Sequence, residues 1–386
     1  MPWTRGPRWA SNDLSLPNEA VVPGQEVVLA HARSPRVGAS LVTRQAREEA
    51  EAGSLAPGAT RASGAGNRAE PEAADPLRTC FERDRDRILH ASAFRRLAGK
   101  TQVFVFPRDH QRTRLTHALE VAQVATAVAR ATGLNVALTE AIALGHDCGH
   151  GPGGHASEEA FSPYLPDGYN HATWGADVVL APLNLCAETL DGIRHHSWSL
   201  PSPLTPEGAV VSWADRCAYC AHDLEDAALA GIVDLRDLPP SVAEVAGRSR
   251  SSQLRCFIGA LVEGITSSGH IGMPEPYASA LADLRRFNYE RIYTRPESIA
   301  QSEAVIAVLR ALVEHFIDNP WRLPAASAQQ GHLGDAARRA VTYVSGMTDR
   351  FAFATAVELL GWRPERLPRG IDAPAGTDAP AAQARW

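Results

Sequence analysis

Residues 141–155 read AIALGHDCGHGPGGH, an apolar helical run that ends in a glycine-rich turn. His146 and Asp147 stand where the run gives way to the turn, so their side chains can converge around one point. Imidazole and carboxylate groups are both ligands for divalent metals. A lone His-Asp dipeptide is a weak signal, and the prediction of a metal site therefore depends on the residues around it.

The sequence on both sides of this stretch has helical spacing and little strand-like alternation. Residues 112–133 (RTRLTHALEVAQVATAVARATG) end at a glycine, a typical helix stop, and residues 208–231 (GAVVSWADRCAYCAHDLEDAALAG) form a further helical segment. We therefore predict an all-α fold, with a helical catalytic core over residues 76–235 and additional helices over residues 236–361 that pack on this core.

The two ends of the chain differ in composition from its middle. Residues 1–75 are rich in Ala, Gly, Pro, Ser, Arg and Glu, and residues 362–386 are rich in Pro and Ala. Such segments bury too little apolar surface to offset the loss of chain entropy, so we expect both to be largely flexible. A short strand or hairpin over residues 26–30 (EVVLA) is one expected exception.

Charge and cysteine content restrict the class of protein. The 386 residues carry 44 acidic and 38 basic side chains, a net charge of -6, which does not support binding of single-stranded nucleic acid or of a membrane. The six cysteines lack regular spacing and indicate reduced thiols. No run approaches the roughly 18 apolar residues of a membrane span. We therefore expect a soluble, cytoplasmic protein.

Two residues outside the glycine-rich turn are further candidate metal ligands. His117 shares a helix face with Val121, Val124 and Val128, and that face should be buried. Taken alone, such a histidine is more often a core residue satisfied by one hydrogen bond. Asp215 follows the apolar VVSWA, where a half-buried carboxylate is costly unless a cation pairs with it.

The complete candidate metal set is His117, His146, Asp147 and Asp215. Two imidazoles and two carboxylates suit a divalent ion such as Mn, Mg, Fe, Co or Ni, and they fit a closed structural zinc site less well. The pair Cys217 and Cys220 would suit zinc or redox chemistry. We disfavour that interpretation because the sequence has no second CxxC pair and this one lies within the Asp215 helix.

A second polar group follows the His-Asp pair and comprises His150, His155, Glu158 and His171. In a turn between loop and helix, His155 and Glu158 can lie side by side, so the carboxylate can orient and charge the imidazole. Such a dyad could protonate a leaving oxygen or position an attacking water. In the alternative interpretation, Glu158 caps a helix and His155 faces solvent.

A cluster of basic residues precedes His117. Both Arg112 and Arg114 lie close to it in sequence. Arg114 is the better candidate for contact with a substrate phosphate, because the guanidinium group offers a fork of donors that matches phosphate oxygens.

Together these residues make the chain resemble the bacterial dGTPase-like deoxynucleoside triphosphate triphosphohydrolases of the HD superfamily. The matching segments, in order, are RTCFERDRDRILHASAFRRLAGKTQVF, RTRLTHALEVAQVA, EAIALGHDCGHGPGGHASEEA, ADRCAYCAHDLEDA and YVSGMTDRFA. The resemblance implies an all-α HD fold in a homo-oligomer. It also implies cleavage between the 5′ oxygen and the α-phosphorus of a deoxynucleotide, which releases a deoxynucleoside and inorganic triphosphate.

The resemblance also assigns roles to individual positions of this chain. The implied metal ligands are His117, His146, Asp147 and Asp215. The implied catalytic residues are the dyad His155 and Glu158, with His150 and His171 in the same phosphate-facing cluster. The implied deoxyribose contacts are Gln102, Tyr219 and Asp223, and the implied phosphate contacts are Arg114 and Arg216.

The chain departs from the pattern of the family at two places. Where the family usually reads GHPPFGH, this sequence reads GHGPGGH, with Gly153 in place of the aromatic residue. After His171 it has Ala-Thr-Trp instead of the common Asn-x-Gln. Both changes spare the implied ligands but bear on the shape of the substrate pocket.

Two other kinds of function stay open from the sequence. One is another HD-type phosphohydrolase, a nucleotidase or a phosphodiesterase, in which His150, His155 and His171 would hold a second metal. The other is a nucleotide-sensing or nucleic-acid-binding homologue that kept the fold without catalysis. The intact ligand set and dyad argue against the non-catalytic homologue, although the altered GPGGH loop keeps it open. The reaction products would separate the triphosphohydrolase from the other phosphohydrolases.

Overall fold

The structure is a computed structural model that describes residue 27 and residues 35–107, 110–324 and 336–370. By its internal contacts the chain divides into two units, Met1–Val42 and Thr43–Trp386. In the first unit, the described residues 35–42 have no regular secondary structure. The strand predicted over residues 26–30 lies outside the described residues, apart from Val27.

The regular secondary structure in the described part of the second unit is helical. Its α-helices are α1 (Arg44–Ser54), α2 (Cys80–His90), α3 (Ser92–Arg96), α4 (Arg114–Thr132), α5 (Val136–Gly145), α6 (Ala156–Phe161), α7 (His171–Trp174), α8 (Ala187–Arg194), α9 (Pro206–Leu229), α10 (Pro240–Val245), α11 (Arg250–Ser268), α12 (Glu275–Asn288), α13 (Pro296–Asp318), α14 (Ala336–Ser345) and α15 (Asp349–Leu360). Two π-helical turns, Gly175–Val179 and Tyr289–Tyr293, directly follow α7 and α12.

The predicted all-α fold is confirmed. Among the described residues, β-type pairing is limited to two isolated bridges, Arg68 with Cys186 and Thr101 with Thr113. None of the helices in this part of the chain is long and apolar enough to cross a bilayer.

Local sequence signals explain where the helices of the site begin and end. The Thr79 hydroxyl and the Glu82 carboxylate form a capping box that starts α2. Helix α4 ends at Gly133 in the left-handed conformation (φ 70°), as predicted from the sequence. Two residues later the Asn135 side chain accepts the Leu138 N–H and starts α5, so the direction of α5 is fixed by a short turn.

The core lies in three buried clusters, and the largest of them holds the helices of the candidate site. Helices α4, α5 and α9 pack against one another through buried residues such as Val121, Ile142 and Val211. A second cluster joins α6 to α13, α14 and α15, and a third joins the end of α9 to α10, α11 and α12. Each fully buried aliphatic side chain contributes about 1.5–3 kcal/mol, so the three site helices form a rigid frame.

The boundary predicted near residue 75 differs from the structure, which places the change in organisation at Thr43. Helix α1 and the chain after it are tied to the helical core by polar contacts. Glu51 accepts from the amide of Asn135 at 2.9 Å, and the Arg68 guanidinium donates to the buried Asp84 at 2.6 Å. Reasoning from composition missed these contacts because it counts apolar surface alone, whereas this segment is held by buried charges with partners.

The predicted tail at residues 362–386 begins inside the described residues. There a 3₁₀ turn spans Pro364–Arg366, and the backbone N–H of Arg369 donates to the side-chain oxygen of Gln301 on α13 at 2.6 Å. Residues 371–386 lie outside the described part of the chain.

Candidate metal centre and active site

The four predicted metal ligands come together on the three helices of the largest core cluster. His117 lies on the inner face of α4, and Asp215 lies on the facing side of α9. His146 follows the last residue of α5, and Asp147 begins the glycine-rich turn. His117, His146 and Asp147 are buried, and Asp215 is half-buried.

The distances between their side-chain atoms are those of a compact ligand set. His117 Nε2 lies 3.0 Å from Asp215 Oδ1 and 3.9 Å from Asp147 Oδ2. His146 Nε2 lies 3.5 Å from Asp147 Oδ1 and 3.6 Å from Asp215 Oδ1. The ligand atoms of His117, His146 and Asp215 all lie within 4.8 Å of one another, so one ion can contact all three.

The hydrogen bonding of His146 fits a role as a metal ligand. Its Nδ1 lies 2.7 Å from the carbonyl oxygen of Ala143 and donates a proton there, so Nε2 is the ring atom that a metal ion would contact. That Nε2 atom is buried and has no hydrogen-bond partner among the described residues. A buried nitrogen of this kind is costly unless a proton or a cation occupies the space before it.

The electrostatics of the two aspartates also fit a cation. Burial alone would raise the pKa of Asp147, but the Arg114 guanidinium and His146 outweigh it and hold this pKa well below its usual range. The pKa of Asp215 is likewise held low, because the hydrogen bond from His117 and the electrostatic attraction of His146 outweigh burial. Asp147 and Asp215 together place two negative charges here with one guanidinium beside them, so the residues present fit a divalent cation.

Arg114, predicted to contact a phosphate, is buried against the metal ligands. Its Nη1 donates to Asp147 Oδ2 at 2.7 Å, and its Nε and Nη2 atoms have no hydrogen-bond partner in the described part of the chain. Arg114 therefore orients Asp147, and its Nε and Nη2 donors stay available to a ligand. The neighbouring Arg112 instead forms ion pairs with Glu120, Glu225 and Asp226, and these carboxylates balance its positive charge.

The predicted dyad forms part of a longer chain of side chains beside the metal ligands. His155 Nδ1 lies 3.3 Å from Glu158 Oε2, and His171 Nδ1 lies 2.6 Å from Glu158 Oε1. Burial would raise the pKa of Glu158, but hydrogen bonds from His155 and His171 outweigh it and hold this pKa far below its usual range. Glu158 is thus a carboxylate shared by two imidazoles, and it also accepts the backbone N–H of His171 at the start of α7. The His155 side chain is 71% exposed, as the alternative interpretation expected.

His150 and His171 connect this chain to the metal ligands. Their rings stack with centroids 3.7 Å apart, and His150 Nε2 lies 3.2 Å from Asp147 Oδ1. His171 Nε2 lies 3.9 Å from the same oxygen. Asp147 therefore faces His117 and Arg114 with one oxygen and the histidine cluster with the other.

His196 belongs to the site but was not predicted from the sequence. It is buried, its Nδ1 donates to the carbonyl oxygen of Ile193 at 2.8 Å, and its Nε2 lies 3.1 Å from His171 Nε2. With His146 and Asp147 it forms another group whose ligand atoms lie within 4.8 Å of one another. The only signal in the sequence was its place in the His-His pair that ends α8, which has no helical spacing to the other ligands.

Two of the three residues predicted to hold the deoxyribose, Tyr219 and Asp223, lie on α9, where they contact two residues that the sequence did not reveal. The Tyr219 hydroxyl accepts from Arg285 Nε at 3.0 Å, and the Tyr293 hydroxyl donates to the Asp223 carboxylate. Burial raises the pKa of Asp223 to about 7. Tyr293 ends the π-helical turn after α12, and such turns are frequent at functional sites.

Gln102 lies in the loop before α4, next to the isolated bridge between Thr101 and Thr113. The two residues after it, Val103 and Phe104, belong to the same apolar cluster as Tyr219 and Tyr293. Its side-chain oxygen is buried and has no hydrogen-bond partner among the described residues. A buried amide oxygen without a partner is suited to accept a hydroxyl from a ligand.

The unusual Gly153 has a structural explanation. Its φ is 73°, and an added Cβ would lie 2.4 Å from a methyl group of Val305 on α13. The buried Asp349 accepts the Gly153 N–H at 2.9 Å and, from the other side, the Thr101 N–H at 2.9 Å and the Thr101 hydroxyl at 2.6 Å. Close packing on α13 and a left-handed backbone thus require glycine here, and Asp349 holds the loop.

The cysteine pair on α9 takes no part in the site. Cys217 and Cys220 are both buried in the third apolar cluster. The groups of potential metal ligands found among the described residues contain histidines and aspartates but neither of these thiols.

Comparison with known proteins places these features in a family. A family model of the HD domain matches residues 114–220, and a model of the phosphohydrolase-associated domain matches residues 271–358. The chain is 38% identical over 316 residues to the deoxyguanosinetriphosphate triphosphohydrolase-like protein of Caldanaerobacter subterraneus subsp. tengcongensis, covering 80% of this chain and 93% of that protein.

Proteins of the same description from two other bacteria are similarly related. The one from Clostridium tetani is 35% identical over 325 residues, with 80% of this chain and 93% of that protein covered. The one from Desulfatibacillum aliphaticivorans is 36% identical over 342 residues, with 81% of this chain and 96% of that protein covered. The similarity thus extends well beyond the residues of the HD domain.

Proposed function

Because the chain belongs to the deoxyguanosinetriphosphate triphosphohydrolase-like family of HD-domain proteins, we propose that it hydrolyses deoxynucleoside triphosphates to a deoxynucleoside and inorganic triphosphate. The observation that carries the proposal is the position of Asp147. One of its oxygens faces His117 and Arg114, and the other faces His150 and His171. A metal ligand is thereby placed beside a group of side chains able to move protons, as hydrolysis of a phosphate ester needs.

The metal would be held by His117, His146, Asp147 and Asp215. A divalent cation bound there would neutralise charge on the α-phosphate and polarise its bond to the 5′ oxygen. The protein contributes the orientation of the ligands, because Ala143 fixes the tautomer of His146 and Arg114 fixes the rotamer of Asp147.

His155 is the group placed to protonate the departing 5′ oxygen. Its Nδ1 faces Glu158, so its Nε2 is directed away from the carboxylate, and the side chain lies at the exposed mouth of the site. The Glu158 carboxylate orients the imidazole of His155 through its Nδ1 atom. His171 holds Glu158 in place from the other side through its ring and its backbone N–H.

The deoxyribose would occupy the pocket beside Tyr219 and Asp223. A carboxyl group with a pKa near 7 can accept from or donate to a 3′ hydroxyl, and Tyr293 holds it in position. Gln102 offers a further acceptor from the opposite segment. A pocket built to pair with one hydroxyl in this way disfavours sugars whose extra groups would find no partner.

A second candidate is a phosphodiesterase or nucleotidase of the same superfamily. It is favoured by the additional groups of potential ligands, one formed by His150, His155 and His171 and another that includes His196. Such a protein would release a nucleoside monophosphate or inorganic phosphate, so the products distinguish the two candidates.

The test is to incubate the metal-loaded protein with each dNTP and NTP and to resolve the products by anion-exchange chromatography. Equal amounts of deoxynucleoside and triphosphate, formed from dNTPs in preference to NTPs, would support the proposal. Monophosphate, diphosphate or free phosphate as the primary product would overturn it and favour the second candidate. Absence of turnover with Mn, Mg, Fe, Co and Ni would leave nucleotide binding without catalysis as the function.

A further inference from the structure

The loop that follows α8 places an aromatic ring on an arginine of α9. The Trp198 ring lies flat against the Arg216 guanidinium, with 3.3 Å between its centroid and Arg216 Cζ. This is well inside the distance of about 6 Å at which a cation is attracted to an aromatic face. Trp198 is 44% exposed, so its ring is not simply part of the apolar core.

Trp198 is itself fixed to α9 at several points. Its indole N–H donates to the carbonyl oxygen of Ser212 at 3.1 Å, one helical turn before Arg216. Its ring also meets Trp213 edge-on, with centroids 4.6 Å apart. The Ser212 hydroxyl in turn donates to the backbone carbonyl oxygen of His196, so the same short loop supplies His196 to the active site and Trp198 to Arg216.

Arg216 differs from the other arginines around the site in having no polar partner. Within the described ranges of the chain it forms no hydrogen bond or ion pair, and its Nε is buried. Arg114 is paired with Asp147, and Arg285 donates to Tyr219. Stacking occupies only the flat face of a guanidinium group, so the in-plane N–H donors of Arg216 stay available for an anion.

The position of Arg216 on α9 indicates where that anion would lie. Arg216, Tyr219 and Asp223 stand at positions i, i+3 and i+7, which fall on one face of a helix. Arg216 also follows the metal ligand Asp215 directly. Its donors therefore share a helix face with the residues assigned to the sugar and lie one residue from a candidate metal ligand, where we expect the phosphates of the proposed substrate.

We propose that Trp198 is a positioning residue that holds the Arg216 guanidinium ready to bind the polyphosphate of the substrate. A free arginine side chain loses much rotamer freedom when it binds an anion, and the indole removes part of that loss before the substrate arrives. The inference rests on the proposed function, because it takes a polyphosphate as the ligand. It adds a residue whose effect is on substrate binding and not on proton transfer.

The first experiment compares Trp198→Leu and Trp198→Tyr with the unaltered protein, with Mn²⁺ in excess of polyphosphate. Affinity for inorganic tripolyphosphate is measured by calorimetry, and KM and kcat are measured with a dNTP. We expect Trp198→Leu to weaken tripolyphosphate binding and raise KM by about tenfold, the range of a partly desolvated cation–π contact, with a smaller change in kcat. Trp198→Tyr, which keeps an aromatic face, should recover most of the affinity.

Trp321→Leu is the matched control, because Trp321 is 75% exposed and lies in the turn after α13. Its affinity for tripolyphosphate should equal that of the unaltered protein. Thermal unfolding of each variant checks that the fold is kept. If Trp198→Leu unfolds, the tripolyphosphate affinities of Trp198→Tyr and Arg216→Gln still test whether the aromatic ring and the guanidinium contribute to binding.

The second experiment asks whether Trp198 acts through Arg216. In the Arg216→Gln background, Trp198→Leu should cause no further loss of tripolyphosphate affinity, because the guanidinium it positions is gone. Independent, additive losses would overturn the inference, and so would an unaltered affinity in Trp198→Leu or no binding of tripolyphosphate by the unaltered protein. Calorimetry needs no turnover, so this outcome is separate from a failure to release triphosphate from dNTPs.

Discussion

The most demanding test of the site concerns Asp349, which lies far from the metal ligands in sequence but holds the loop between them and the dyad. Its two oxygens accept from the Gly153 N–H on one side and from the Thr101 N–H and hydroxyl on the other. Replacement by alanine removes all three hydrogen bonds and leaves two backbone N–H groups buried without a partner.

The expected loss of stability follows from the two backbone N–H groups that Asp349→Ala leaves without a partner. Each buried donor left without a partner costs about 1–3 kcal/mol, so Asp349→Ala should lower the free energy of unfolding by about 2–6 kcal/mol. Asp349→Asn keeps one oxygen and should cost about half as much, because the amide can accept on only one of the two sides. Urea unfolding followed by circular dichroism measures both values.

The effect on activity should be separable from the effect on the metal. The loop that Asp349 holds carries His155, whereas the metal ligands lie on α4, after α5 and on α9. We expect Asp349→Asn to keep the metal content, measured by mass spectrometry, and to lower kcat by about ten- to a hundredfold, because small misplacements of a catalytic group have large effects on rate.

The comparison needs a carboxylate that supports no loop. Asp237 is half-exposed and paired with Arg291, so Asp237→Asn should change neither stability nor kcat measurably. The reasoning would be refuted by an Asp349→Asn protein with unchanged stability and kcat. A loss of metal in parallel with activity would show instead that the loop and the metal ligands are not separable.

Three further predictions follow from single residues. Asp147→Ala should lose both bound divalent metal and turnover, and unchanged metal content by mass spectrometry would contradict the ligand assignment. Burial raises the pKa of Asp223 to about 7, so between about pH 4 and pH 7 the folded state binds more protons than the unfolded state. The contribution of Asp223 to the free energy of unfolding therefore falls as pH rises through this range. Asp223→Asn should flatten that part of the stability–pH curve. Gly153→Ala should lower the unfolding free energy by about 2–4 kcal/mol through backbone strain and contact with Val305. The control Gly168→Ala, with the same sign of φ but no contact under 3.4 Å, should lower it by about 1–2 kcal/mol. Equal values in denaturant unfolding would exclude the contact with Val305 as a cause.

The convergence of the four candidate metal ligands could be predicted from the sequence because the signals that point to these residues are local. His146 and Asp147 stand at a helix end before a glycine-rich turn, and His117 and Asp215 stand on faces with helical apolar spacing. The same holds for the all-α fold and for the end of α4 at Gly133. Each of these depends on fewer than about 20 neighbouring residues, the range over which periodicity can be read.

The residues that were missed depend on contacts between distant segments. His196 reaches His171 across 25 positions, and Tyr293 reaches Asp223 across 70. Neither has a local pattern that separates it from an ordinary core or surface residue. The ordered segment after Thr43 was missed for a related reason, since buried pairs such as Arg68 with Asp84 cannot be inferred from composition.

These long-range contacts also change the meaning of the boundary predicted at residue 235. The match to the HD domain ends at residue 220, and all four metal ligands lie before that point. Yet Asp349 holds the loop of His155, and the carbonyl oxygens of His150 and Ser345 share the buried Lys100 ammonium group. The helices after residue 235 therefore supply residues that hold the candidate active site in place. A chain that ends at residue 235 would keep the ligands but lose the carboxylate that fixes the catalytic loop, so bound metal without turnover is the result to expect from it.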